Sequence, residues 1–107
     1  MNSTALDTTR ISEMQAHAEQ AAALLKAMAN ENRLMIMCTL LNGELSVGEL
    51  NAKVPLSQSA LSQHLASLRE AGLVNTRKEA QTVYYQVCGD EANKIIAVLQ
   101  SIYCPTV

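Results

Sequence analysis

Two groups of residues in this chain could do chemistry, and they call for different kinds. The first is a run of short hydrogen-bonding side chains, Ser57-Gln58-Ser59-Ala60-Leu61-Ser62-Gln63-His64-Leu65-Ala66-Ser67-Leu68-Arg69. At about 3.6 residues per helical turn, Leu61, Leu65 and Leu68 form one narrow apolar stripe. Ser59, Ser62 and Gln63 fall on the opposite side, with Gln58 at the start. Amides and hydroxyls, in place of the Glu and Lys usual on a solvated face, suit hydrogen bonds to base edges in the major groove, where each base pair shows its own donor and acceptor pattern. Taken alone, the run also suits an ordinary amphipathic helix with a polar back. The second group is three cysteines, Cys38, Cys88 and Cys104, whose thiolates could react with oxidised sulfur or oxygen species.

The elements around the polar run are those that would present it to DNA. Ser46-Val47-Gly48-Glu49 reads as a capping box, in which Ser46 and Glu49 satisfy each other's backbone amides at a helix start. The short helix it opens carries Val47, Leu50 and Val54, and Pro55 blocks continuation. A tight turn then leads to Ser57, a good N-cap for the next helix. Two helices so joined form a helix-turn-helix, whose second helix enters the groove. Gly72 is placed to end that helix as its C′ residue. Leu73 to Arg77 and Thr82 to Val87 are rich in β-branched and aromatic residues and read as two strands joined by the polar connection Lys78 to Gln81. That hairpin is a wing, with Arg77 and Lys78 near its tip set for phosphates and Arg69 available beside them. The expected fold is mainly helical with a small β-hairpin, a winged helix-turn-helix.

Length and charge are consistent with such a module. A chain of 107 residues makes one domain, and with three Tyr but no Phe or Trp its core must be aliphatic and Met-rich. We expect residues 1–11 to be disordered, residues 12–104 to form the winged-helix domain and 105–107 to be a tail. No apolar run is long enough to span a bilayer and the first ten residues lack a signal-peptide pattern, so a cytoplasmic protein without membrane contact is expected. The formal charge of −2 argues against a simple DNA binder, but its distribution does not. Residues 53–78 carry Lys53, Arg69, Arg77 and Lys78 against Glu70 alone, whereas residues 1–52 carry six acids against three bases. A basic working face on an acidic body would bind DNA with an affinity that falls steeply as salt rises.

The chain ends read as a pairing surface. From Ser12 to Met28 a helical pattern brings Met14, Ala18, Ala21, Ala22, Leu25 and Met28 together. From Asp90, a candidate N-cap, a last helix carries Ala92, Ile95, Ile96, Leu99, Ile102 and Tyr103. That face is wide for the final helix of a small domain and suggests a homodimer, although both helices could instead complete one core.

The cysteines read differently one by one. Cys38 shares the apolar stripe of its helix with Leu34 and Leu41, as a core cysteine would. Cys88 closes the second strand and reads as structural. Cys104, between Tyr103 and Pro105, sits at a helix end where exposure is expected. His17 and His64 match no zinc spacing, and His17 reads as a solvated or packing residue. There is no Cys-x-x-Cys, which counts against a thiol redox enzyme. A pure protein-interaction module would explain the apolar helices but leaves Gln58 to Gln63 without a purpose.

The segments Ala27-Met28-Ala29-Asn30-Glu31-Asn32-Arg33-Leu34, Glu44-Leu45-Ser46-Val47-Gly48-Glu49-Leu50, Leu56 to Leu65 and Ala71-Gly72-Leu73-Val74 resemble the ArsR/SmtB family of winged-helix repressors over about residues 15–104. The likeness is greatest to the branch that holds persulfide-responsive repressors and a regulator of haemolysin expression. The resemblance implies a homodimer of five helices and a two-stranded wing, paired through the first and last helices, that binds a partly palindromic promoter site on double-stranded DNA. It implies no enzymatic activity and no cofactor. It carries base-contacting roles to Gln58, Ser59, Ser62, Gln63 and His64, with Ser57, Arg69, Arg77 and Lys78 beside them. Many metal-responsive members have a Cys-x-Cys pair where this chain has Ser46 and Gly48, and others bind zinc through acids and histidines on a last helix that here lacks histidine. Persulfide-responsive members use a cysteine pair at the positions of Cys38 and Cys104. The resemblance thus implies a redox-sensing dithiol answering reactive sulfur or oxygen species, with a metal-responsive repressor that uses the cysteines as ligands as the alternative.

Overall fold

The computed structural model describes residues 8–103, and the side chain of Thr8 is not among the parts described. Five helices and a three-stranded sheet follow in the order α1 (Thr8–Met28), α2 (Glu31–Leu40), β1 (Leu45–Ser46), α3 (Val47–Lys53), α4 (Gln58–Glu70), β2 (Val74–Glu79), β3 (Thr82–Val87) and α5 (Asp90–Tyr103). This is a winged helix-turn-helix. The strands are antiparallel in the order β1-β3-β2, with Thr76 opposite Tyr85 in the wing and Leu45 opposite that same Tyr85 on the other side.

The core is aliphatic. Ile36, Met37, Leu50, Leu61, Leu68 and Ile96 have no exposed surface, and among the described residues no polar or charged one is buried with them. α2, α3, α4, the start of β2 and the inner face of α5 each contribute to this cluster. Only the last turn of α1 joins it, through buried Met28 with Leu24 and Ala27 packed alongside. Residues 9–23 of α1 are exposed throughout. The Cα radius of gyration is accordingly 17.0 Å, where a compact chain of this length has about 13 Å.

Three boundaries differ from the sequence reading. Thr8 to Ile11, expected to be disordered, continue α1 in the N-terminal direction, because nothing between Thr8 and Ser12 breaks a helix and Ile11 lies one turn before Met14. Residues 1–7 and 104–107 lie outside the described part. The wing connection is two residues, Ala80-Gln81, since β2 pairs as far as Glu79 opposite Thr82 and so absorbs Lys78. Asp90 is the first residue of α5 and not its cap; the carbonyl before it, on Gly89, accepts from both the backbone and the side-chain nitrogen of Asn93. No described helix is long and apolar enough to cross a membrane.

Candidate nucleic-acid interface

The polar run is held by local chemistry at every joint. Ser46 Oγ accepts from the Glu49 amide at 3.1 Å while the Ser46 amide donates to Glu49 Oε1 at 2.9 Å, which closes the capping box. α3 ends where the Val54 amide donates to Leu50 O at 3.0 Å, with Pro55 unable to donate the next bond. The turn is clipped by Asn51, whose Nδ2 donates to Leu56 O at 2.9 Å. That clip had no sequence signal, since an Asn in a short helix could equally have faced solvent. Ser57 Oγ then caps α4 by accepting from the Ala60 amide at 3.1 Å. At the far end Leu73 N donates to Leu68 O and Gly72 N to Arg69 O, a Schellman closure with Gly72 at φ +77°.

Between those caps α4 is divided by face. Leu61, Leu65 and Leu68 are buried, whereas Gln58, Ser59, Ser62, Gln63 and Arg69 are exposed together. His64 is set apart from them. It is half-buried on the flank of the leucine stripe, where its Nδ1 accepts from Arg33 Nε at 3.4 Å. Arg33, which the sequence reading used only as part of a resemblance, also donates from Nη1 to Ala27 O at 3.1 Å.

The two wing cations are placed differently. Lys78 is exposed. Arg77 is engaged: it meets Glu44 through Nη2 at 2.5 Å and through Nε at 3.2 Å, and Glu79 through Nη1 at 2.9 Å. Its guanidinium carbon also lies 4.7 Å from the centre of the Tyr84 ring. The hydrogen bonds from Arg77 hold the Glu44 carboxyl below its ordinary pKa, and those to Glu44 and Glu79 raise the guanidinium above its own. A phosphate approaching Arg77 must therefore compete with two carboxylates. Glu44 and Arg77 are 33 residues apart, so no local pattern could have paired them.

The cysteine positions are described in part. Cys38 is half-buried on α2 against the core, and α2 packs on α5. Cys104 follows directly on Tyr103, the last residue of α5, and lies outside the described residues. Cys88 donates its backbone amide to Leu73 O at 2.8 Å, joining the end of the wing to its base. Among the described residues no group of three or more His, Cys, Asp or Glu is arranged to hold a metal ion.

A second surface is apolar. Ile11, Met14 and Leu25 on α1 and Val98, Ile102 and Tyr103 on α5 are large apolar residues between 45 % and 77 % exposed. A groove of about 200 Å³ lined by Leu25, Met28, Ala29, Leu34, Ile95 and Leu99 runs between these two helices.

Comparison with known proteins gives this geometry a context. Residues 30–76 match the family described as bacterial regulatory protein, arsR family. The transcriptional activator HlyU of Vibrio cholerae serotype O1 is 58 % identical over 94 residues, which cover 88 % of this chain and 87 % of that protein. The crystal structure of the transcriptional regulator HlyU from Vibrio vulnificus CMCP6 superposes with a TM-score of 0.84 at 61 % identity, covering 88 % of this chain and 98 % of that one. The homodimeric winged helix-turn-helix DNA-binding domain Mb0332 of Mycobacterium bovis superposes with a TM-score of 0.72 at 30 % identity, covering 84 % and 83 %.

Proposed function

The chain belongs to the ArsR family and is a transcriptional regulator, and on that footing we propose that it reads a partly palindromic promoter site as a homodimer and is switched by oxidation or persulfidation of a Cys38/Cys104 dithiol. The observation that carries the DNA-reading part is the division of α4, with its leucines buried and Gln58, Ser59, Ser62 and Gln63 exposed together between two capped ends. Those four side chains read base edges. Ser57, Arg69 and Lys78, all exposed, serve as phosphate contacts, His64 supports the helix from its flank, and Arg77 reaches a phosphate by giving up Glu44.

The apolar face of α1 and α5 supports pairing. Six large apolar side chains on those two helices are open to water in the single chain, and a matched copy would cover them. Pairing sets the distance between two reading helices, which must match half-sites roughly 34 Å apart, one turn of the duplex.

The switch rests on the place of the two cysteines in the chain. Cys38 is on α2, which packs on α5, and Cys104 is the residue after the end of α5. With peroxide, one thiolate becomes a sulfenic acid as water leaves, and the second thiol displaces a second water to close a disulfide. With a persulfide donor, the thiolate takes the outer sulfur and releases the donor thiol; the neighbouring thiol then attacks and releases hydrogen sulfide. If both cysteines are persulfidated first, their condensation releases hydrogen sulfide and leaves a trisulfide. Any of these links would tie α2 to the end of α5, a helix of the proposed pairing face, and so change the separation of the reading helices.

The test is intact mass with peptide mapping after peroxide or persulfide treatment, run beside titration of a duplex selected by the reduced protein from a randomised pool. A Cys38–Cys104 link with loss of duplex binding is the expected result, a trisulfide marking persulfide as the signal. Both thiols remaining unmodified, or Cys38→Ser and Cys104→Ser variants still releasing DNA on oxidation, would overturn the switch. Retention of no duplex by the reduced protein would overturn DNA reading.

A further inference from the structure

We propose that Arg33 is a positioning residue that ties the reading helix to the end of α1, acting through His64; this rests on the DNA-reading proposal above. Asn30 caps α2, its Oδ1 accepting from the Asn32 amide at 2.9 Å and the Arg33 amide at 3.1 Å, so the Arg33 backbone is fixed in the first turn. From there the side chain joins two other helices. Nη1 donates to Ala27 O at 3.1 Å, a carbonyl in the last turn of α1 that has no partner within its own helix. A cation at that negative end of the helix is electrostatically favoured. Nε donates to His64 Nδ1 at 3.4 Å on α4.

The chemistry needs this residue type. A guanidinium is a planar fork that holds two acceptors in a fixed relation, which a lysine ammonium on a flexible stem does not. With Nδ1 as acceptor, the neutral imidazole carries its proton on Nε2, so Arg33 sets both the tautomer and the rotation of the ring. His64 follows Gln63 and Ser62 directly and flanks the buried Leu61 and Leu65. Met28, the last residue of α1, is itself in the core, so the end of α1 is an anchored reference and its long exposed part is not. A rotation of α1 or α2 is therefore transmitted to the reading helix by a side-chain link as well as by apolar packing, which tolerates small slides. Arg33 and Cys38 share α2, so a displacement produced at the sulfur acts on the same helix that holds this link.

The experiment uses the full chain and a duplex selected from a randomised pool by the unsubstituted protein. Arg33→Lys, His64→Ala and the double variant are titrated with that duplex, and ring ¹⁵N chemical shifts of His64 are recorded without DNA. The expected results are a single Nε2–H tautomer in the unsubstituted protein, a mixture in Arg33→Lys, and about tenfold weaker binding for each single variant with no further loss in the double. His64→Asn, which keeps an acceptor where Nδ1 stood, is expected to bind as the unsubstituted protein does, and it tests the link even if Arg33→Lys folds poorly. Arg33→Lys binding within about twofold of the unsubstituted protein, losses that multiply in the double variant, or His64→Asn as weak as His64→Ala would each overturn the link alone. Multiplying losses would mean that His64 touches DNA by itself. A pool that yields no duplex overturns the DNA-reading proposal and this one with it.

Discussion

At the scale of single residues, Arg77 shows how a charge that looks available can already be spent. Its two carboxylate partners and the face of Tyr84 fix it as a brace between the wing and the segment before β1. The pairs are at the surface, where such bonds are weak and salt-screened, so Glu44 can be displaced by a phosphate. Replacing Glu44 with Gln should then raise duplex affinity a few-fold and steepen the dependence of log affinity on log salt by about one unit, as one more phosphate contact would. An unchanged slope in a salt titration would assign Arg77 wholly to bracing and leave Lys78 as the phosphate contact of the wing. The pH dependence follows from the sign of the Glu44 shift. Arg77 holds that carboxyl below its unfolded value, so the pairing contributes stability above the ordinary carboxylate range and loses it as pH falls through the depressed value. The brace is intact at neutral pH and released only in acid, and Glu44→Gln should remove that acid-side loss.

At the scale of elements, what the sequence made legible was whatever is decided within a few residues. The Ser46–Glu49 box, the Ser57 cap, the Gly72 closure and the buried Leu61-Leu65-Leu68 stripe are each local devices, and each forms as its spacing implies. What stayed hidden depends on partners far along the chain. β1 is two residues long and exists because Leu45 and Ser46 pair with Tyr85 and Tyr84, so no periodicity could announce it. The Arg33–His64 and Arg77–Glu44 links are likewise products of the fold. The wing tip carries the one conformational flaw among these elements: Ala80 sits at φ +56° in a two-residue turn where glycine is favoured. A left-handed alanine costs about 1–2 kcal/mol, and glycine gives back about 0.4–1 kcal/mol through its greater freedom when unfolded. Ala80→Gly should therefore stabilise the domain by roughly 0.5–1 kcal/mol in urea unfolding. A loss of stability would mean that the turn is held in its present form by contacts of the alanine methyl group.

At the scale of the whole molecule, the single chain looks half of something. Residues 9–23 of α1 are exposed throughout, and an isolated helical stretch of about 15 residues or fewer is marginal in water, so propensity alone gives it little stability. The same helix and α5 carry the large exposed apolar side chains, and the chain is extended to 57 Å along its long axis. Net charge points the same way. A formal charge of −2 gives no long-range attraction to DNA, so binding depends on the local basic face, and doubling that face by symmetry is the simplest way to strengthen it. Val98 is 57 % exposed on α5, so Val98→Asp should leave the stability of one chain within about 0.5 kcal/mol of its original value. In a two-fold interface the same change is made twice, and it buries unpaired charge on an apolar face. The dimer dissociation constant should rise at least about a hundredfold in sedimentation equilibrium. Duplex affinity should fall with it, and the salt slope should drop to about half as one reading head is lost. A Val98→Asp protein that still sediments as a dimer would move the pairing surface off the outer face of α5. One that sediments as a monomer yet binds the duplex unchanged would make a single polar face of α4 sufficient for reading, and the Cys38/Cys104 link would then have to act within one chain.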